Sequence, residues 1–72
     1  MASKYPVLKP REIIKILAEF GFIFISQKGS HAKYSNGIKT TIVPMHSEVE
    51  KGTLKSILKL ADISLEDFMD KL

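Results

Sequence analysis

The pair Asn36-Gly37 lies between two short extended segments, and it constrains the fold more than any other feature of the chain. Asn-Gly is the strongest short-range signal for a two-residue hairpin turn, because both residues tolerate positive φ angles. The flanking segments, His31 to Ser35 and Ile38 to Val43, contain residues typical of strands. The sequence therefore predicts an antiparallel hairpin that turns at Asn36-Gly37.

A third extended segment, Phe22 to Gln27, precedes this hairpin, and Lys28-Gly29-Ser30 joins the two. Three consecutive strands with short connections predict an antiparallel meander. Pro44 ends the last strand, because proline has no N–H to donate to a neighbouring strand.

The register of the hairpin decides which side chains share a face of the sheet. A two-residue turn pairs His31 with Ile42. Lys33 then pairs with Thr40 and lies on the same face. The opposite face receives Ala32, Tyr34, Lys39 and Thr41. Both faces are mixed in polarity, so the alternation alone does not indicate which of them packs against helices.

Helices are predicted before and after the meander. The first runs from about Pro10 to Phe20, where proline suits the first helical position and Gly21 supplies a left-handed stop. The second begins between Ser47 and Thr53, and the third follows Ser64, a favourable N-cap residue. The predicted apolar faces are Ile13, Ile14, Leu17 and Phe20 in the first helix, Leu54, Ile57, Leu58 and Ala61 in the second, and Leu65, Phe68, Met69 and Leu72 in the third.

The element order α-β-β-β-α-α predicts an α+β fold, with the helices packed on one face of a three-stranded antiparallel sheet. Phe20, Phe22 and Phe24 are predicted to belong to the core. The order is similar to that of the double-stranded RNA-binding fold, or dsRBD-like fold. At 72 residues the chain has the length of a single domain, 1-72.

Composition excludes several classes of protein. The chain has no cysteine, which excludes a disulfide framework and a thiolate nucleophile. No apolar run approaches the roughly 20 residues that a membrane span needs, and the first residues lack the apolar core of a signal peptide. We therefore expect a cytoplasmic protein that does not contact a membrane.

Charge is distributed unevenly along the chain. Residues 1–45 carry seven cationic and two anionic side chains, whereas residues 46–72 carry four cationic and six anionic ones. A basic segment attracts polyanions such as nucleic acid. An ordinary lysine-rich surface in contact with water accounts for the same charges.

His31 directly follows a Gly-Ser turn, and Lys28 and Lys33 are close to it in the sequence. Imidazole titrates near pH ~6.5, so His31 can take a proton from a ribose 2′-hydroxyl or give one to a leaving 5′-oxygen. The lysines would stabilise charge on the phosphate, and backbone N–H groups at Gly29 and Ser30 would contact its oxygens. These residues predict proton transfer on a phosphodiester. The alternative is a histidine that forms only a structural hydrogen bond at the start of a strand.

Other polar and aromatic residues have two interpretations each. His46 is either a second proton-transfer group or a polar residue that closes the loop after Pro44. Tyr34 either stacks on an unpaired base or packs across the sheet. Two histidines without cysteine give no recognisable set of metal ligands, so we expect no metal or other cofactor unless Glu48 and Glu50 converge on a site.

Four segments between about Arg11 and the C-terminus form a more specific pattern. They are Gly21-Phe22, Gln27-Lys28-Gly29-Ser30-His31, Thr41-Ile42-Val43-Pro44-Met45-His46 and Gly52-Thr53-Leu54-Lys55-Ser56-Ile57-Leu58. In these segments the chain resembles the HicA family of toxins, small messenger RNA endonucleases of bacterial and archaeal toxin–antitoxin pairs.

That resemblance implies a dsRBD-like fold, an mRNA substrate and a HicB-type antitoxin as partner. It also implies that His31 is the catalytic residue of a metal-independent endoribonuclease, the toxin of a type II toxin–antitoxin system. The chain has Ser26 and Ala32 where members often have arginine and a second histidine. The alternative is therefore a non-catalytic RNA-binding module of the same fold.

Overall fold

The computed structural model has the predicted order of elements, and it describes residues 5–72. Residues 1–4 of the predicted domain, 1-72, lie outside the described part. The elements are α1 (Pro10–Glu19), β1 (Ile23–Lys28), β2 (His31–Ser35), β3 (Thr40–Pro44), α2 (Lys51–Ala61) and α3 (Leu65–Asp70). The strands form one antiparallel sheet in the order β1-β2-β3, which confirms the predicted α+β fold.

Helix α1 begins at the predicted proline and ends one residue before Phe20. Its end is closed by two backbone hydrogen bonds, from Phe22 N–H to the Leu17 carbonyl at 3.1 Å and from Gly21 N–H to the Ala18 carbonyl at 3.0 Å. Gly21 has a φ of +84°, which confirms the predicted left-handed stop. The buried face of the helix also includes Ile16, which the predicted apolar face did not contain.

One face of the sheet packs against the helices, and its four central residues are Ala32, Tyr34, Thr41 and Val43. These side chains are between 0% and 9% exposed. Thr41 is fully buried, and its hydroxyl Oγ1 donates a 2.8 Å hydrogen bond to the Ile57 carbonyl of α2. The buried hydroxyl therefore has its partner and joins the sheet to the helix layer.

The predicted register of the hairpin is wrong by two residues. His31 pairs with Pro44 rather than Ile42, and Lys33 pairs with Ile42 rather than Thr40. The cause is the side chain of Asn36, whose Oδ1 accepts hydrogen bonds from the N–H groups of Ile38 and Lys39 at 2.9 and 2.7 Å. Asn36 therefore closes the turn opposite Lys39 instead of lying inside it. Because side chains alternate with a period of two, a shift of two leaves each residue of β2 and β3 on its predicted face.

The prediction that Phe24 belongs to the core is wrong, although Phe22 is buried and Phe20 packs partly against the core. Strand β1 is an edge strand of exposed residues, and Phe24 is 53% exposed. Its ring contacts Tyr34 edge to face, with ring centroids 5.7 Å apart. A β-bulge between Phe24 and Ser26 interrupts the strand and shifts its alternation.

Helix α2 begins within the predicted window, and its buried residues are the four that were predicted. Helix α3 follows Ser64, whose Oγ accepts a 3.1 Å hydrogen bond from the Asp67 N–H as an N-cap. Its predicted apolar face is only partly correct, because Phe68 is buried whereas Met69 and Leu72 are 37% and 56% exposed. A helix of six residues makes fewer than two turns and brings few side chains to the core. Within residues 5–72, no helix combines the length and apolar content needed to cross a bilayer.

Thr41→Val should lower the free energy of unfolding by about 1 kcal/mol, because it removes the hydrogen bond to Ile57 while preserving side-chain shape. Thr40→Val, at the adjacent exposed position, is the matched control and should change stability by less than about 0.5 kcal/mol. Urea denaturation of both variants measures the difference. Equal stability of the two variants would show that this hydrogen bond does not hold the sheet to α2.

Candidate active site

The turn before His31 has two residues, Gly29 and Ser30, because Lys28 is the last residue of β1 and pairs directly with His31. Gly29 has a φ of +60°, the left-handed conformation that suits glycine at the first position of such a turn. The side-chain amide of Gln27 donates a 3.0 Å hydrogen bond to the Gly29 carbonyl and so stabilises the turn. The predicted three-residue connection is therefore one residue too long.

The sheet face that points away from the helices, called the outer face below, contains the predicted catalytic residue. Because Lys28 and His31 are direct partners, their side chains lie on the same face. Lys33 lies two residues along β2 and shares that face. The outer face consists of Ile23, Ser26, Lys28, His31, Lys33, Ser35, Thr40, Ile42 and Pro44.

The outer face has a positive electrostatic character. The three strands contain no aspartate or glutamate, so no acid of the sheet neutralises Lys28 or Lys33. Both lysines and His31 are exposed to solvent. The structure thus places an accessible imidazole between two cations, an arrangement that suits a phosphate group.

His46 lies beside the same turn, which the sequence did not indicate. The Met45 N–H donates a 2.6 Å hydrogen bond to the Ser30 carbonyl and extends the β2–β3 pairing by one residue. The His46 ring nitrogen Nε2 then lies 3.3 Å from the Ser30 hydroxyl. The predicted register would have placed Val43, not Met45, opposite Ser30, so the error of two residues separated His46 from the turn.

A cleft of about 420 Å³ opens beside His46. It is lined by Lys9, Pro10, Arg11, Met45, His46 and Ser47. Two of these side chains, Lys9 and Arg11, are cationic and come from the start of α1. The cleft therefore brings His46 near two cationic residues at the N-terminal end of α1.

Two remaining alternatives from the sequence are addressed by the structure. Tyr34 is 9% exposed and contacts Phe24, so it packs across the sheet rather than presenting its ring to a base. In the part of the chain that the structure describes, no three histidine, aspartate or glutamate side chains come together as a candidate metal site. Glu48 and Glu50 accordingly do not converge on such a site.

The chain is similar to a known protein family. A family model described as HicA toxin of bacterial toxin-antitoxin matches residues 10–63. The matched part contains α1, the whole sheet and α2, and it therefore includes both histidines. A search among curated proteins finds no match to the chain.

Gly29→Ala should lower the free energy of unfolding by about 1–2 kcal/mol, the usual cost of a left-handed conformation for a residue with a Cβ. Gly52→Ala is the matched control, because Gly52 lies in α2 and its added Cβ would meet no neighbouring atom within 4 Å. Alanine is favoured over glycine in helices by up to about 1 kcal/mol, so the control should stabilise the protein. Thermal denaturation distinguishes the two results, and a Gly29→Ala variant as stable as the wild type would contradict the assigned turn geometry.

Proposed function

Because this chain belongs to the HicA toxin family of bacterial toxin–antitoxin systems, we propose that it is the toxin of a type II system and cleaves messenger RNA. His31 acts in this proposal as the general acid or base, and the reaction needs no metal ion. The observation that supports it most is the exposed imidazole of His31 between Lys28 and Lys33 on the outer face.

The chemistry proposed for His31 is proton transfer at a ribose phosphodiester. Attack of the 2′-hydroxyl on the adjacent phosphorus requires loss of its proton, and departure of the 5′-oxygen requires gain of one. An imidazole with a reference pKa near ~6.5 can perform either step near neutral pH. Such transfer contributes typically ~10²–10⁴-fold to the rate, which suits a slow regulatory nuclease.

The residues around His31 would bind the substrate in this proposal. Lys28 and Lys33 flank the imidazole and stabilise the charge that develops on the phosphate. Gly29 and Ser30 bring backbone N–H groups close to the phosphate oxygens. A Cβ added at Gly29 would meet no atom within 4 Å, so open space is present on that side of the turn.

His31→Ala should reduce mRNA cleavage by about 10²-fold or more while leaving the fold intact, since the side chain is exposed. The assay compares wild type and variant on one defined mRNA in the presence of EDTA, with circular dichroism to verify folding. Lys59→Ala, an exposed substitution on α2 in the helix layer, serves as control and should retain wild-type activity. Cleavage by His31→Ala at the wild-type rate would contradict the assignment of His31. Salt-sensitive RNA binding by the wild type without products would favour the non-catalytic module.

The toxin family also provides a basis for proposing a HicB-type antitoxin as partner. An acidic segment of that partner would neutralise Lys28 and Lys33 and cover His31, since no acid of the sheet competes for these cations. The partner would thereby compete with RNA for the outer face.

Lys28→Glu should weaken binding of the antitoxin by at least about tenfold, equivalent to about 1.4 kcal/mol, because it places like charges together. Lys59→Glu reverses a charge on α2, in the helix layer, and should leave the affinity close to that of the wild type. Isothermal titration calorimetry of both variants gives the comparison. A larger loss of affinity for Lys59→Glu than for Lys28→Glu would show that the antitoxin binds the helix layer instead of the outer face.

A further inference from the structure

We propose that His46 is the second catalytic residue of this site and performs the proton transfer that His31 does not. This inference rests on the proposed ribonuclease function and extends it to a residue of the loop between β3 and α2. It is carried by the position of His46 against the turn that presents His31.

Two contacts hold His46 at that position. The hydrogen bond from Met45 N–H to the Ser30 carbonyl, at 2.6 Å, fixes the backbone of the loop against the turn. The His46 ring then reaches the Ser30 hydroxyl at 3.3 Å between Nε2 and Oγ. Because Ser30 and His31 are consecutive, His31 and His46 lie at the same end of the β2–β3 hairpin. His46 is exposed, so a substrate can reach its ring.

The chemistry of the other nearby groups favours His46 as the second proton carrier. Lysine side chains have a reference pKa of about 10.4 and carry their proton at neutral pH, so they serve better as electrostatic contacts than as bases. The strands offer no carboxylate for this purpose. The hydroxyl of Ser30 has a far higher pKa than imidazole. His46 is therefore the remaining group beside the turn whose residue type commonly serves as a general acid or base.

The proposed reaction is a balanced transesterification. One imidazole accepts the proton of the 2′-hydroxyl while the 2′-oxygen forms a bond to phosphorus. The other imidazole, protonated, donates to the 5′-oxygen as the bond from phosphorus to that oxygen breaks. The products are a 2′,3′-cyclic phosphate and a 5′-hydroxyl, and no oxidant, reductant or further reactant is consumed.

The test uses a leaving group that needs no protonation. An RNA that the wild type cleaves at one mapped linkage is prepared with sulfur in place of the bridging 5′-oxygen at that linkage. Cleavage of the oxygen and sulfur substrates is measured for wild type, His31→Ala, His46→Ala and His46→Gln. The glutamine variant retains a hydrogen-bonding group for Ser30 but transfers no proton. Glu66→Ala, an exposed substitution on α3, is the control and should retain wild-type activity.

We expect His46→Ala and His46→Gln to lose about 10²-fold or more of the activity on the oxygen substrate. The sulfur substrate should restore cleavage in only one of the two alanine variants, the variant that lacks the histidine acting as the acid. Full activity of His46→Gln would overturn the inference, because it would show that the hydrogen bond to Ser30 suffices. Three other results would overturn the inference as well. The sulfur substrate could restore cleavage in both alanine variants or in neither, or His46→Ala could be as active as the wild type on the oxygen substrate.

The outcome separates this inference from the function on which it rests. If the wild type cleaves RNA and the His46 variants are as active as the wild type, the ribonuclease function is supported and the catalytic role of His46 is refuted. If the folded wild-type protein leaves every RNA intact, both the ribonuclease function and the catalytic role of His46 are refuted.

Discussion

One face of the sheet packs against the helices, and this packing decides which side chains of the strands are buried and which are exposed. Ala32, Tyr34, Thr41 and Val43 are buried there, and the Thr41 hydroxyl is tied to the α2 backbone. Side chains of a strand alternate, so burial of these residues forces their neighbours to the outer face. A slip of one residue would bury His31 and Lys33 and expose the core residues. The free-energy cost of that exchange determines which face packs against the helices.

The turn between β2 and β3 adds a second constraint that positions the candidate site. Asn36 closes this turn through its side chain, and the resulting register brings Met45 opposite Ser30. His46 reaches the Gly29-Ser30 turn only because of that register. The residue that sets the pairing at one end of the hairpin therefore determines which residues lie beside the Gly29-Ser30 turn at the other end.

Local signals in the sequence were sufficient for the order of elements, the bounds of β2, the start of α1 and the buried face of α2. They also placed His31 and Lys33 on one face, because that conclusion needs only the period of the strand. The exposure of Phe24 depends on a bulge in an edge strand, and local patterns do not reveal that bulge. The position of His46 depends on a side-chain hydrogen bond ten residues earlier, and no nearby residue signals it.

Chemical-shift mapping by NMR distinguishes RNA binding at the outer face from RNA binding at the helices. A short RNA with a 2′-deoxyribose at the cleaved linkage binds without reacting, because the attacking hydroxyl is absent. If RNA binds the outer face beside the Gly29-Ser30 turn, the largest amide shifts will fall at residues 28–33 and 45–46. Exposed lysines also lie on α2, at Lys51, Lys55 and Lys59, on the other side of the sheet. Shifts confined to that helix would show that RNA binds the helix layer and not the outer face.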